Sequence, residues 1–319
     1  MLDKNLIVYE TMVTPPPERY PMSHAPYLTE LGGGAVLLTW FAGSREWAKD
    51  VHVMSARYDA DKGAWGEIGS LITDVGYSLG NSVTLIDPMG RLHAWYVRTK
   101  GYWSEGEVVR QIHPGADAPP ESKSLLPLPV GWLIRGRPVL RGNTVYLPIY
   151  HETELSSCVW TQDLAAGEGK MGEQITAEGG LIHPTLVDVG GNEFRCYFRN
   201  PRTPNRIHGA YSMNRGGSWS RPLPSDLPNP NSGFDVALIR KDTLVCVYND
   251  SPTKRYPLSI AISTNMGMNW RKLGDLETEQ GEFSYPSLLA SGNRLHLAYT
   301  HDRSAIRFLT LDKEALGNE

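Results

Sequence analysis

Ile182-His183-Pro184-Thr185-Leu186-Val187-Asp188-Val189-Gly190-Gly191-Asn192-Glu193-Phe194-Arg195-Cys196-Tyr197-Phe198 reads as a complete β-hairpin. β-Branched and aromatic residues fill both arms, and the Gly-Gly-Asn centre supplies the positive φ that a tight turn needs. Outward from this stretch the same unit recurs: a (Pro or Val)-x-Leu strand, a tight turn, and a second strand ending in an aromatic. The other copies are Pro26-Tyr27-Leu28 to Trp40-Phe41, Val83-Thr84-Leu85 to Trp95-Tyr96, Pro138-Val139-Leu140 to Tyr150, Val236-Ala237-Leu238 to Tyr248, and Pro286-Ser287-Leu288 to Tyr299. Six copies spaced by roughly 45–60 residues leave no room for long helices.

Further strand-like runs lie between the hairpins: Val51-His52-Val53-Met54-Ser55, Arg206-Ile207-His208-Gly209-Ala210 and Pro257-Leu258-Ser259-Ile260-Ala261. Each repeat therefore has room for a four-stranded antiparallel sheet. The expected fold is all-β, a six-bladed β-propeller forming a single domain over residues 1–319. The last repeat runs out near Leu311, and Asn5-Leu6-Ile7-Val8-Tyr9 is expected to supply its missing outer strand and cover an open edge. Two octets in the same phase of the repeat, Ser212-Met213-Asn214-Arg215-Gly216-Gly217-Ser218-Trp219 and Ser263-Thr264-Asn265-Met266-Gly267-Met268-Asn269-Trp270, resemble the Asp-box S-x-D-x-G-x-T-W, with weaker echoes ending at Trp65 and Trp103. The Asx side chain and glycine make a turn between strands three and four, and the Trp anchors it, so the motif is read as structural.

Composition excludes several classes. Net charge is -4, from 31 Lys+Arg against 35 Asp+Glu, with no basic run to neutralise a phosphate backbone, so no nucleic-acid partner is expected. No apolar stretch approaches the ~20 residues that span a bilayer, so no membrane partner is expected either. The start Met1-Leu2-Asp3-Lys4-Asn5 lacks the layout of a secretion signal, giving an expectation of a cytoplasmic protein unless a leader was removed. Cys158, Cys196 and Cys246 are odd in number and sit in strand-like runs without C-x-x-C spacing, so they read as buried free thiols. No metal site and no cofactor is assigned, and oligomeric state is left open.

Antiparallel connectivity puts the start of strand one, the end of strand two and the start of strand three of every blade on one rim. The residues there are His24-Ala25, Asn81-Ser82, Gly136-Arg137, Ile182-His183, Phe234-Asp235 and Ser284-Tyr285. Past the second strands come Arg45-Glu46, Arg98, His151-Glu152, Arg199-Asn200, Asn249-Asp250 and His301-Asp302, with Asp50, Arg206 and Arg255 near the third strands. Such a concentration of His, Arg, Asp and Tyr is expected of a functional mouth. Singly, Arg98 reads more readily as a solvated loop charge and His301-Asp302 as a turn, while His151-Glu152 is evenly balanced.

These features resemble the sialidase (neuraminidase) superfamily, and more closely its divergent branch of sialidase-like BNR-repeat proteins. Trp40-Phe41-Ala42-Gly43-Ser44-Arg45-Glu46, Leu227-Pro228-Asn229-Pro230-Asn231-Ser232-Gly233 and Glu282-Phe283-Ser284-Tyr285-Pro286 are typical of that branch, and the resemblance covers essentially the whole chain. It implies Asp50 as acid/base, Tyr285 as nucleophile, and Arg199 and Arg255 as two of three arginines holding a substrate carboxylate. Two positions depart from the pattern: His24-Ala25-Pro26 stands where an R-I-P arginine is expected, and His183 stands where a Glu assists the Tyr. A phenol suits an anomeric carbon that already bears a carboxylate, because an anionic nucleophile would be repelled.

The resulting expectation is an exo-glycoside hydrolase of the sialidase type, cleaving a terminal sialic or related ulosonic acid with retention. Asp50, Tyr285 and His183 are its catalytic residues, and His24, Arg199, Arg255, Arg45, Arg137, Arg206, Asn231 and Asp235 its substrate-binding set. The ligand is a small molecule or glycan bearing a carboxylate. Two alternatives stay open: a lyase using the His and Tyr to abstract a C5 proton from a uronic-acid polymer, and a non-catalytic carbohydrate-binding propeller.

Overall fold

The computed structural model describes residues 1–167 and 169–317. Six antiparallel sheets, the blades of an all-β six-bladed propeller, make up the chain. Blade four shows the pattern: Ile182–Gly190, Glu193–Arg199, Arg206–Ser212 and Leu223–Pro228 pair in sequence order. Blade five repeats it with Asp235–Arg240, Thr243–Asn249, Leu258–Ser263 and Arg271–Glu277. Blade three contains Val139–Arg141, Thr144–His151, Ser156–Asp163 and Gly169–Met171. Blade one runs Met22–Gly32, Ala35–Gly43 and His52–Asp59, with an outer strand in two pieces, Ala64–Trp65 and Gly69–Ile72. Blade two runs Ser78–Ile86, Leu92–Thr99, Glu107–His113 and Ser122–Leu125.

Blade six joins both ends of the sequence. Phe283–Ser291, Arg294–His301 and Ala305–Asp312 are completed by Ile7–Val13, which pairs antiparallel with Ala305–Asp312. The strand begins at Ile7 and not at Asn5, because Lys4–Leu6 forms a 3-10 turn in which Asp3 accepts the amides of Asn5 and Leu6. All six hairpins expected from the repeat are present. The second strand of blade one, Ala35–Gly43, is buried at every position because both its faces are covered.

The two octets fold as the motif requires. Ser212 Oγ accepts the amides of Asn214 and Gly216, and Asn214 Oδ1 accepts the Ser212 hydroxyl and the Ser218 amide. Ser263 and Asn265 repeat the arrangement. Both turns connect strands three and four. Trp103 is not an echo of them: it lies in a 3-10 turn, Trp103–Glu105, between the second and third strands of blade two. The three cysteines are buried free thiols, and burial pushes that of Cys158 up to about 12.

The chain divides into two compact units. One holds Met1–Leu6, Arg135–Ser284 and the residues from Lys313; the other holds Ile7–Ile134 and Tyr285–Asp312. Within the first, Phe194, Phe198, Cys196 and Leu186 centre one apolar cluster and Phe234, Tyr248 and Cys246 another. Within the second, Leu28, Trp40, Tyr58 and Phe308 form one core, and Phe41, Val51, Val53, Leu79 and Tyr96 a neighbouring one. Among the described residues no helix is long and apolar enough to cross a membrane.

A buried polar chain stiffens blade two. Asp87 accepts the amides of Met89 and Arg91, Arg91 Nε at 2.8 Å and His93 Nε2 at 3.0 Å. With Nε2 donating, Nδ1 of His93 accepts from Arg110 Nη2 at 2.6 Å, the tautomer that satisfies both neighbours. Burial pushes the Asp87 carboxyl up, but the bonds from His93 and Arg91 together outweigh it and hold the group down at about 2. A carboxyl depressed on folding contributes stability above its unfolded pKa, and that contribution is lost as pH falls through the folded value. Wild-type unfolding free energy is therefore expected to lose about 2 kcal/mol through this group between pH 5 and pH 2. Denaturant titrations at those two pH values should show Asp87→Asn lacking that component.

Candidate active site

A bulge at one place in the repeat decides where the rim side chains point. In blade one the register of Met22–Gly32 against Ala35–Gly43 shifts between His24 and Tyr27; in blade four it shifts between Ile182 and Thr185; in blade two between Leu79 and Ser82. An extra residue in one strand bends it and re-aims its side chains. Ala25, His183 and Tyr285, each directly before a proline, have φ of 53°, 49° and 54°. Non-glycine residues adopt this left-handed region at a cost, and a residue before proline is further restricted.

Within the unit that holds blades one, two and six, the bulge brings His24 and Tyr285 together. Their rings are 4.5 Å apart and tilted by 55°, and the other side of the buried His24 meets Phe41 edge-on at 5.4 Å. Tyr285 is half-buried against the cluster containing Ala25, Phe41, Val51 and Tyr96. The Ala25 amide donates to Thr300 Oγ1 at 2.9 Å, which pins the bulge.

Asp50 is exposed and next to Val51, a member of that same cluster. Its carboxylate closes the loop 44–50: Ser44 donates through its amide at 3.2 Å and its hydroxyl at 2.9 Å. Gly43 permits the closure, since a Cβ there would lie 2.9 Å from the Val51 Cα. Glu46, inside the loop, accepts Trp103 Nε1 at 3.0 Å and Arg303 Nη1 at 2.7 Å, so three blade loops are tied at one carboxylate. Arg45 is exposed on the loop. Burial, and then the nearby Arg19, lowers the pKa of His52 against the opposing pull of Asp50.

Within the other unit, His183 and Arg199 are buried side by side. Arg199 Nη1 lies 3.3 Å from His183 Nδ1 and 3.4 Å from Nε2, while Arg199 Nε donates to Asn231 Oδ1 at 2.7 Å. The Tyr150 ring is 4.8 Å from that of His183. Gly136 packs directly on the Pro184 carbonyl, where a side chain would collide, and this places the partly buried Arg137 beside blade four's first strand. Arg255 donates to Glu282 Oε1 at 2.6 Å, and the Ser284 hydroxyl donates to the same oxygen.

Several rim positions serve the scaffold. Arg206 donates to the carbonyls of Ser225 and Asp226 on its own outer strand. Asn200 donates to the carbonyls of Glu178 and Gly180, and Asn249 to that of Phe283. Arg98 pairs with Asp74 and Glu107 and covers the Tyr77 ring. His151 Nδ1 accepts the Glu154 amide and shapes a turn. Asp235 is buried at the head of blade five, where its carboxylate accepts the following amide.

The BNR repeat-like domain family matches residues 34–297. The chain belongs to that family. Similar solved structures of this BNR repeat-like chain include the Hadza microbial sialidase Hz136, with a TM-score of 0.78, 13% identity and coverage of 93% of this chain and 67% of that one. A protein of unknown function from Dyadobacter fermentans aligns at a TM-score of 0.80 and 12% identity, covering 96% and 98%. The NanB sialidase from Streptococcus pneumoniae aligns at 0.76 and 11%, covering 92% and 69%. No curated protein matches the sequence. At these identities the likeness is one of fold.

The BNR repeat signature carried no sign of Glu46, Glu282 and Arg303 as bracing groups. Glu282 was within reach of sequence reasoning, as a carboxylate three residues before Tyr285. Glu46 and Arg303 are far apart in sequence, so their pairing could not be read from spacing. Among the described residues there is no group of three or more His, Cys, Asp or Glu placed to hold a metal ion. Glu46→Ala should release the loop: amide exchange of residues 44–51 is expected to rise by about tenfold or more, since both charge-assisted bonds to the carboxylate are lost, with residues 212–219 unchanged. Hydrogen–deuterium exchange mass spectrometry checks this.

Proposed function

We propose that the protein is an exo-glycoside hydrolase that removes a terminal anionic sugar, a sialic or related ulosonic acid, with retention of configuration. The observation that carries the reading is the His24–Tyr285 contact at 4.5 Å, made by a tyrosine held at a φ of 54°. Strain of this kind persists only where surrounding structure enforces it, and it gathers at working sites. Family membership and the sialidase-like fold support the same reading.

In this mechanism the Tyr285 oxygen attacks the anomeric carbon and passes its proton to the adjacent His24 imidazole as the bond forms, and His24 returns it when the tyrosine departs in the second step. Asp50 protonates the departing oxygen, and the leaving group carries that proton away. The resulting aryl glycoside is then hydrolysed by a water that Asp50 deprotonates, which restores both residues. The His24 imidazole beside Tyr285 replaces a permanent guanidinium charge with a titratable one, which favours sugar acids needing a less strongly charged clamp.

Turnover of 4-methylumbelliferyl glycosides of N-acetylneuraminic acid, its deaminated analogue and Kdo tests the proposal. Wild type is expected to release the fluorophore from at least one of them, and Tyr285→Phe and Asp50→Asn to lower kcat by roughly 10²–10⁴. Release by Tyr285→Phe at the wild-type rate would remove tyrosine from the mechanism. Silence of wild type on all three, with glycan binding intact, would identify a binding propeller instead.

A further inference from the structure

We propose that the groove between the outer strands of blade four and the octet turn of blade five binds a small aromatic carboxylate, at a site separate from the rim that carries Arg199. Strand pairing builds one wall. Arg195 and Tyr197 on the second strand of blade four stand opposite Tyr211 and Gly209 on the third, and Gly209 stands opposite Leu223 on the fourth. A Cβ at Gly209 would crowd the Tyr197 ring at 3.3 Å, so the glycine keeps the floor of the groove clear. Glycine inside a strand weakens it, and often marks a place where a ligand approaches the backbone closely.

Blade five closes the far end. The Tyr197 hydroxyl donates to the Met266 carbonyl at 3.3 Å, and Gly267 lies so near that hydroxyl that a Cβ would overlap it. Strand and turn are thereby tied together around a cavity of about 540 Å³, a size that suits a small organic ligand. Tyr211, Leu223 and Met268 line it, yet they are 46%, 61% and 74% exposed. Large apolar side chains gathered in water at one concave place mark a binding surface.

Charge selects the occupant. Arg195 and Arg221 both line the cavity. Arg195 lies 5.1 Å from the centre of the Tyr211 ring and pairs with Glu193 at 2.6 Å. Arg221 follows Ser220, whose amide donates to the Tyr211 carbonyl, and among the described residues it makes no ion pair. Asp226, the carboxylate on the outer strand, accepts the Trp270 amide at 3.4 Å. One guanidinium charge therefore stands at a cavity walled by tyrosine rings and methionine thioethers. An aryl carboxylate satisfies both features, its ring against Tyr211 and Met268 and its anion on Arg221. Arg195 precedes Arg199 by four residues on the same strand, roughly 13 Å along it, so the two sites are distinct.

Isothermal titration calorimetry with 2-naphthoate tests the site, with 2-naphthylmethanol as the uncharged counterpart. Wild type is expected to bind the acid saturably with a Kd of about 1 mM or tighter, and the alcohol about fivefold more weakly. Arg221→Gln should weaken the acid about fivefold and leave the alcohol unchanged. Gly209→Ala, which raises the floor of the groove, should weaken both by about threefold or more. Unchanged thermal unfolding confirms the fold of each variant, and the exposed Arg221→Gln decides alone if Gly209→Ala does not fold. Equal affinity for acid and alcohol, wild-type affinity for the acid in Arg221→Gln, or no saturable heat at about 10 mM acid overturns the site. Affinity that survives Arg221→Gln but falls in Arg199→Gln would assign the acid to the rim, and also overturns it.

Discussion

Backbone pairing between the first long strand of the chain and the last holds blade six together. Ile7–Val13 lies antiparallel to Ala305–Asp312, with Thr11 opposite Phe308 and Val13 opposite Ile306. Without it the third strand of that blade would present an open row of N–H and C=O groups. The same blade carries Tyr285 on its first strand, so the neighbourhood of that tyrosine depends on hydrogen bonds made by residues almost three hundred positions away. Loop-closure entropy makes such contacts costly to form, and the apolar core around Leu28, Trp40 and Phe308 offsets it.

On this scaffold the bulge does the local work. A regular strand would alternate side chains evenly between its two faces. The inserted residue at His24–Tyr27 and at Ile182–Thr185 breaks the alternation just before the regular pairing with the second strand resumes. The prolines that follow lack an N–H, so the irregular segment loses little ladder bonding, and the left-handed residue before each one turns its side chain out of the sheet's register. Tyr285 and His183 share this device in different blades.

Charge at the rim is held in pairs. Arg255 meets Glu282, Arg303 meets Glu46, Arg98 meets Asp74 and Glu107, and Arg199 is held by the neutral Asn231. A guanidinium held by a carboxylate or an amide oxygen in this way keeps a fixed orientation. The loop carboxylate Asp50 differs, being exposed and accepting the Ser44 amide and hydroxyl. Asp87, by contrast, is sealed by four donors.

The repeated hairpins, the paired octets and the N-terminal outer strand were all legible in the sequence, because strand alternation and glycine turns are local properties with a fixed period. The buried thiols were legible too, since they sit within apolar runs. Local reading failed at Trp103, whose spacing mimicked a turn motif while its position lay between different strands. It also failed to separate Arg206, Asn200 and Asn249, which bind backbone carbonyls, from Arg199, which keeps company with His183 and Asn231. Polar residues at one rim look alike in sequence, and only the three-dimensional path of the loops determines which carbonyl or ring each one meets. Sequence thus determined the blades and their phase, through short-range stereochemistry; the tertiary structure alone decided the His24–Tyr285 contact and the Glu46 brace, because both join segments brought together only when the blades pack.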